Sequence, residues 1–111
     1  MFCLYGPNAA PGHGGSYIGV VEAQMNYIID LIAKMREAGA KAVDVRPEVY
    51  EAYSQRVDEA HSRMIWTAPK VRTYYQNSKG RVVYANPFRI VDFWHMTKAA
   101  DLDDYRLRDS A

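Results

Sequence analysis

Hydrophobic residues follow two different periods along the chain, and the change between them outlines a small α+β fold. The run from Met1 to Tyr5 is apolar without alternation and is closed by Gly6-Pro7-Asn8. Such a run predicts a strand over residues 1–5 that is buried on both faces, at the edge or in the core of a sheet. Glycine, proline and asparagine then predict a loop from Gly6 to Gly15.

A long helix is predicted over residues 16–38, because Ser16 offers an N-cap hydroxyl and Gly39 is placed to be the C′ residue. One apolar stripe follows the helical period, and its members are Ile18, Val21, Met25, Ile28, Ile32 and Met35. Further apolar residues lie outside this stripe, and polar residues are confined to a narrow line through Glu22, Asn26, Asp30 and Lys34. A helix that is apolar nearly all round is normally buried on more than one side.

The second half of the chain predicts shorter elements. A short extended segment is predicted over residues 42–45, and Arg46-Pro47 starts an amphipathic helix with proline at its first position. The apolar face of this helix consists of Val49, Tyr53, Val57, Ala60 and Met64. Residues 71–76 and 81–85 flank a glycine-bearing turn and predict a β-hairpin.

The last part of the chain predicts one more helix and then a loose end. After Asn86-Pro87, a short third helix is predicted with Phe88, Val91 and Trp94 on one face. The tail over residues 101–111 is polar, and we expect it to pack loosely.

Composition narrows the class of protein. The chain has 111 residues, 14 Lys and Arg against 13 Asp and Glu, and a net charge of +1. This balance argues against a nucleic-acid partner, which would require a basic face. The single cysteine, Cys3, lies in the apolar opening run, so we expect a buried core residue and a reducing, cytoplasmic compartment. No apolar run approaches the roughly 20 residues that a membrane span needs, so no membrane partner is predicted.

The loop before the long helix carries the strongest candidate chemistry. Gly12, Gly14 and Gly15 allow close backbone approach and positive φ just before a helix amino terminus, where free amides and the helix dipole suit an electron-rich ligand. His13 is the only titratable group of the loop. A flexible loop packed on the helix start remains the alternative. No zinc site is predicted, because His61 and His95 have no partner at metal-ligand spacing.

Several short motifs are spaced along the chain. In the first half they are Phe2-Cys3-Leu4-Tyr5-Gly6-Pro7-Asn8, Gly12-His13-Gly14 and Glu22-Ala23-Gln24-Met25-Asn26-Tyr27-Ile28. In the second half they are Arg46-Pro47-Glu48, Trp66, Thr73-Tyr74-Tyr75, Gly80-Arg81, Asn86-Pro87 and Asp104-Tyr105. This series resembles the carboxyl-terminal region of flavin-containing monooxygenases, nearest to the Baeyer–Villiger branch that includes cyclohexanone and 4-hydroxyacetophenone monooxygenases. The resemblance covers nearly the whole chain.

The resemblance implies a fragment of an α/β flavoprotein with two dinucleotide-binding domains, which uses FAD and NADPH to oxygenate ketones or related small carbonyl compounds. Residues 1–40 would complete the FAD domain as strand, loop and helix, and residues 41–111 would wrap around the protein as a carboxyl-terminal extension. The resemblance places Gly14, Gly15, Ser16 and Tyr17 beside FAD, and Ala10, Pro11 and His13, within the stretch 9–13, beside the substrate.

The same resemblance implies that this chain is inactive alone. The glycine-rich dinucleotide motifs and the catalytic arginine of the family are absent from the sequence, so we assign no catalytic residue and expect no retained cofactor. The partner would be the remainder of the flavoprotein. The alternative function is a free-standing interaction module that self-associates through the helix 16–38, since its apolar surface needs a cover.

Overall fold

The structure is a computed structural model that describes residues 1–109, and it has the predicted α+β composition. The elements in chain order are β1 (Ala10–Pro11), α1 (Tyr17–Glu37), β2 (Ala42–Val45), α2 (Pro47–His61), β3 (Ala85–Asn86), α3 (Ile90–Met96) and β4 (Tyr105–Arg108). β1 pairs in parallel with β3, and β2 pairs antiparallel with β4. The molecule measures 51 × 27 × 19 Å, so an elongated shape leaves it only a small interior.

Helix α1 begins and ends where the sequence predicts. Ser16 has extended backbone angles and its hydroxyl accepts a hydrogen bond from the amide of Gly19, as an N-cap residue does. At the other end, Gly39 has a φ of +72° and follows the C-cap residue Ala38. A left-handed residue in this place ends a helix without steric cost only when it is glycine.

The two sides of α1 have different surroundings. Val20 and Leu31 lie on one side and are each only 1% exposed. Because successive residues turn by about 100°, Ile18, Met25 and Ile29 lie on the opposite side. Ile18 is 70% and Ile29 is 58% exposed. The chain itself therefore covers one apolar side of the helix, and the predicted stripe lies beside that side, with four of its six residues partly buried and only Ile18 and Met25 exposed.

The prediction of a buried strand over residues 1–5 is wrong. The segment ends in a turn at Leu4 and Tyr5, and Tyr5 has a φ of +54°. Cys3 is exposed, so its expected place in the core is also wrong. An apolar run forms a central strand only when other strands pair with it, and none of the described residues does so. The segment is held instead by the amide of Tyr5, which donates to Oε1 of Gln24 at 2.9 Å.

The tail is more ordered than predicted. Leu102–Asp104 form one 3₁₀ turn, and β4 then pairs with β2 from Val45↔Tyr105 to Ala42↔Arg108. The tail was expected to be loose because it is polar, but a paired strand needs only a partner for its backbone. Residues 110 and 111 of the predicted tail lie outside the described residues.

The predicted hairpin is reduced to its turn. Asn77 accepts hydrogen bonds from the amides of Lys79 and Arg81, and a single antiparallel bridge joins Gln76 to Val82. The second arm does not extend this pairing, because Ala85 pairs with Ala10 of β1 instead. The glycine-bearing turn was therefore predicted correctly, but the strand partner was not.

The two shorter helices bring few side chains into a small core. Val57 of α2 and Phe93 of α3 are buried. The predicted third helix is confirmed and contains Val91 and Trp94, but both are exposed, and Phe88 precedes the helix. Phe93 packs in the cluster formed by Ala9, Val20, Ala23 and Phe93. No helix within residues 1–109 is both long and apolar enough to cross a membrane.

Candidate functional site

The loop before α1 adopts the backbone conformation that its glycines permit. Gly14 has a φ of +83° and Gly15 a φ of +124°, and both are exposed. Side chains other than hydrogen rarely tolerate these values, so glycine is required at both positions. Ser16 and Tyr17 follow directly and are exposed as well. The four residues expected beside a cofactor thus form one continuous exposed turn.

The amino terminus of α1 is electrostatically open. The first four amides of an α-helix have no partner within the helix, and Ser16 provides an acceptor for that of Gly19. The first turn contains no acidic residue that would offset the positive end of the helix dipole. The amides of Tyr17 and Ile18 are therefore suited to an anion or to the electron-rich edge of a ligand.

The position of this loop is fixed from the side of β3. The Nε2–H of His13 donates to the carbonyl of Pro87 at 2.8 Å. Gly12 lies so close to the carbonyl oxygen of Asn86 that an added Cβ would come within 2.8 Å of it, and the ring of Trp66 lies on the same side at 3.0 Å. The loop is therefore anchored where the sequence left flexibility as an alternative.

The residues expected beside a substrate occupy two environments. Ala10 is buried in β1, and its amide donates to the carbonyl of Tyr84 at 3.2 Å. Pro11 is half-buried, and His13 is exposed next to the glycine turn. Pro11 and His13 accordingly precede the exposed turn directly, while Ala10 lies buried in β1.

A buried histidine network that the sequence did not predict holds the loop to α2. His61 is 3% exposed, and its Nδ1 accepts a hydrogen bond from the indole N–H of Trp66 at 2.9 Å. Nε2 must then carry the proton, and it donates to the carbonyl of Ala85 at 3.0 Å. The amide group of Asn8 donates to the same carbonyl and to that of Val82. The network therefore joins the loop, α2 and the segment that leads into β3.

Burial lowers the pKa of His61 below its ordinary value of 6.5, and this is the largest effect on the group. The hydrogen bond to Ala85 and the charge of Asp58 act in the opposite direction. The neutral ring fits its surroundings, because a second ring proton would face the indole N–H of Trp66. The sequence signals only a histidine at a helix end, since Asn8 and Trp66 are distant or offset along the chain.

A second concave region lies away from the loop. A cleft of about 680 Å³ opens between α2, the middle of α1 and the end of α3, and its lining is mainly apolar. Tyr27 and Tyr105 line it and share a hydrogen bond of 2.7 Å between their hydroxyls. Burial and the Tyr105 hydroxyl raise the pKa of Tyr27 above its usual range. Across residues 1–109, no three metal-ligating side chains come together where they could hold a metal ion.

Known relatives match nearly the whole of this chain. An uncharacterized monooxygenase of Sinorhizobium fredii is 41% identical over 106 residues, which are 96% of this chain and 16% of the relative. A Baeyer–Villiger monooxygenase of Streptomyces coelicolor is 29% identical over 105 residues, 94% of this chain and 20% of the relative. An FAD-binding monooxygenase of Aspergillus niger is 28% identical over 111 residues, 96% of this chain and 18% of the relative.

No family model matches the chain, and no solved structure matches it. The chain spans only 16% to 20% of the length of these relatives. The resemblance noted in the short motifs is thereby confirmed along the whole sequence. The chain is similar along nearly its whole length to one segment of these monooxygenases, and one of them is a Baeyer–Villiger monooxygenase.

Proposed function

We propose that this chain is the carboxyl-terminal segment of an FAD- and NADPH-dependent monooxygenase, and that it presents the amino terminus of α1 to the flavin. The observation that carries the proposal is the exposed, acid-free turn from Gly14 to Tyr17, in which Gly14 and Gly15 adopt positive φ values that favour glycine. Its donors fit a flavin edge that gains negative charge on reduction. The name of the Aspergillus niger relative supports FAD as the cofactor.

In this proposal the chain binds and orients but supplies no reacting side chain. The amides of Tyr17 and Ile18 face the flavin edge, and Gly14 and Gly15 keep side chains out of its way. Bound FAD would supply the oxygen chemistry, and the upstream part of the protein would supply the catalytic groups. Pro11 and His13 flank the turn and would limit the space for a small carbonyl substrate, while residues 41–111 wrap the parent protein.

Complementation tests the proposal directly. The Streptomyces coelicolor relative would be produced without the segment that matches this chain, and the two pieces would be combined with FAD. We expect retained flavin and NADPH oxidation only in the mixture. NADPH oxidation by this chain alone, or a persistent failure of the mixture to bind flavin, would contradict the proposal.

A matched pair of glycine variants tests the role of the turn. Gly14 and Gly80 have φ values of +83° and +80°, and a Cβ at either would meet nothing within 4 Å. Gly14→Ala and Gly80→Ala therefore carry the same backbone strain, about 1–2 kcal/mol in the free energy of unfolding. We expect only Gly14→Ala to lower the FAD content of the complemented enzyme. Equal loss in both variants would show that strain alone is responsible.

The open side of α1 favours a second candidate, in which the chain self-associates through the helix 16–38. Ile18, Met25 and Ile29 lie on one side of the helix, and the rest of the described chain leaves all three exposed. Light scattering on the purified chain tests this function. We expect Ile18→Lys and Ile29→Lys to convert an associating chain to a monomer. If the unsubstituted chain is already a monomer, the candidate is excluded.

A further inference from the structure

Trp66 lies where the glycine loop meets the buried histidine network. It belongs to a 3₁₀ turn, Ile65–Thr67, that follows α2, and its side chain is half-buried. Within the part of the chain that the structure describes, Trp66 is not a member of the apolar core cluster around Val20 and Phe93, and it does not pack on that cluster. Its place in the fold is therefore explained by other contacts than those of the core.

Three contacts fix the orientation of the indole. Its N–H donates to Nδ1 of His61 at 2.9 Å, which gives a partly buried donor the acceptor that it needs. The ring of Tyr75 stands edge-on to the indole, with 5.7 Å between the centroids and an interplanar angle of 80°. The carbonyl of Trp66 accepts a hydrogen bond from the side-chain amide of Gln76 at 3.1 Å. Both the backbone and the ring of Trp66 are thus held in place.

The six-membered ring of the same indole lies against the backbone of the glycine loop. A Cβ added to Gly12 would come within 3.0 Å of Cη2 and 3.4 Å of Cζ2 of Trp66. The same Cβ would come within 2.8 Å of the carbonyl oxygen of Asn86. Only glycine fits such a close approach, so the loop rests on the tryptophan with no side chain between them.

Gly12 is a sensitive point of the loop. It stands between Pro11 and His13, which the proposed function places beside a substrate, and two positions before the exposed turn that begins at Gly14. The hydrogen bond from His13 to the carbonyl of Pro87 holds the loop from the side of β3. Trp66 supports it from the side of α2, through the bond to His61. A change in the position of the indole would therefore move the residues on both sides of Gly12.

We propose that Trp66 is a positioning residue, whose indole is oriented by His61 and sets the position of the loop over residues 11–17. Its effect on flavin and substrate rests on the proposed function. The contact with Gly12 lies within this chain and needs no flavin, so it is tested separately in the free chain. Trp66 itself takes no part in the reaction.

Nuclear Overhauser effects in the unsubstituted full chain test the contact first. We expect cross-peaks between the α protons of Gly12 and the protons on Cη2 and Cζ2 of Trp66, because these atoms are neighbours in the structure. Absence of these cross-peaks in the folded chain would overturn the proposal without the need for any variant.

Amide hydrogen exchange then measures the support that the indole gives to the loop. Trp66→Phe removes the indole N–H and the ring atoms next to Gly12, and Trp94→Phe is the matched control at a tryptophan that is 49% exposed. We expect severalfold faster exchange over residues 12–17 in Trp66→Phe only, with unchanged rates around the buried Leu31. Equal loop exchange in the two variants, or faster exchange along the whole chain in Trp66→Phe, would overturn the positioning role.

A double variant tests whether His61 acts through the indole. His61→Gln alone should accelerate exchange over residues 12–17. Added to Trp66→Phe, it should have little further effect on these amides, because the group through which it acts is already absent. Fully additive effects on the loop would overturn the role assigned to His61.

The complemented enzyme tests the consequence for catalysis. The chain is combined with FAD and the truncated Streptomyces coelicolor relative, and NADPH oxidation is measured with a ketone that the intact relative oxidises. We expect Trp66→Phe to raise KM for the ketone severalfold with little change in kcat or FAD content, and Trp94→Phe to change none of them. An unchanged KM, or a joint loss of FAD and activity, would overturn positioning of the substrate side. If the unsubstituted mixture binds no flavin, the proposed function fails, and hydrogen exchange alone decides on Trp66.

Discussion

The two ends of α1 are treated very differently by the rest of the chain. At the carboxyl end, Asp30 accepts the amide of Ala100 at 2.8 Å, and Lys34 donates to the carbonyl of the same residue at 2.6 Å. Leu31 is buried between these contacts. At the amino end the backbone of the loop is anchored, but the donors of the first turn and the side chain of Ile18 face outward.

The difference indicates that the amino end of α1, and not its carboxyl end, is suited to a contact outside this chain. Polar residues on a helix are usually a solvated face, yet here half of the polar line, Asp30 and Lys34, is used to hold the chain's own segment at Ala100. The amino end leaves apolar side chains and unpaired donors together, a combination that is costly for a finished surface and suitable for a buried contact. The proposed flavin site and the open apolar side therefore form one exposed region at the amino end of α1.

Two aliphatic substitutions two residues apart give the largest effect. Leu31→Ala removes a side chain that is 1% exposed, and we expect it to lower the free energy of unfolding by about 3 kcal/mol. Ile29→Ala changes the open side, and we expect a change within about 0.5 kcal/mol for the chain alone. Urea titration followed by circular dichroism measures both.

The same pair also tests the complemented enzyme. If the open side of α1 packs against the upstream part of the protein, Ile29→Ala should weaken complementation although it leaves the free chain unchanged. An equally large loss of stability from both substitutions in the free chain would break the comparison between a covered and an open side.

The second effect depends on pH and concerns the network that anchors the amino end. Because the pKa of His61 is lowered from 6.5 in the folded chain, the unfolded chain binds more protons below that pH. The contribution of His61 to stability is therefore complete above about pH 6.5 and decreases as the pH falls. In the unsubstituted chain, the urea concentration at the midpoint of unfolding should decrease as the pH is lowered from about pH 8 to about pH 5.5.

Two histidine variants test whether His61 causes this loss of stability at low pH. His61→Gln should flatten the pH dependence while lowering stability at high pH, because Trp66 and Ala85 lose their partner. The exposed His95 provides the control, and His95→Gln should keep the parental slope. A parental slope in His61→Gln would show that other groups cause the decline.

Local signals predicted the elements whose causes are local. The cap at Ser16, the left-handed Gly39 and the proline at position 47 each act within one helical turn, and α1 and α2 accordingly begin where expected. The strand predicted over residues 1–5 was wrong because an apolar stretch indicates burial but does not indicate which residues cover it. Residues 1–5 found no strand partner among the described residues, and Tyr5 turned toward α1 instead.

Contacts between distant residues were beyond the reach of the sequence. β4 pairs with β2 across some sixty positions, and its polar alternation gave no sign of that partner. His61 acquires its role only because the fold brings Trp66 and the carbonyl of Ala85 to its two nitrogens. The glycine turn was found because its requirement is conformational, and positive φ is a property of the residue type at Gly14 and Gly15.

The smallest expected effect distinguishes the stability of helix α1 from its proposed contact with FAD. Ser16→Asp places a carboxylate at the positive end of α1, and we expect it to raise the free energy of unfolding by about 0.5 kcal/mol. The same carboxylate would repel an electron-rich flavin edge, so FAD retention in the complemented enzyme should fall. Ser16→Asn supplies a neutral cap and should leave both quantities near the parental values. A rise in stability with undiminished FAD retention would mean that the amino end of α1 does not face the flavin, because only a nearby negative ligand makes the two effects opposite in sign.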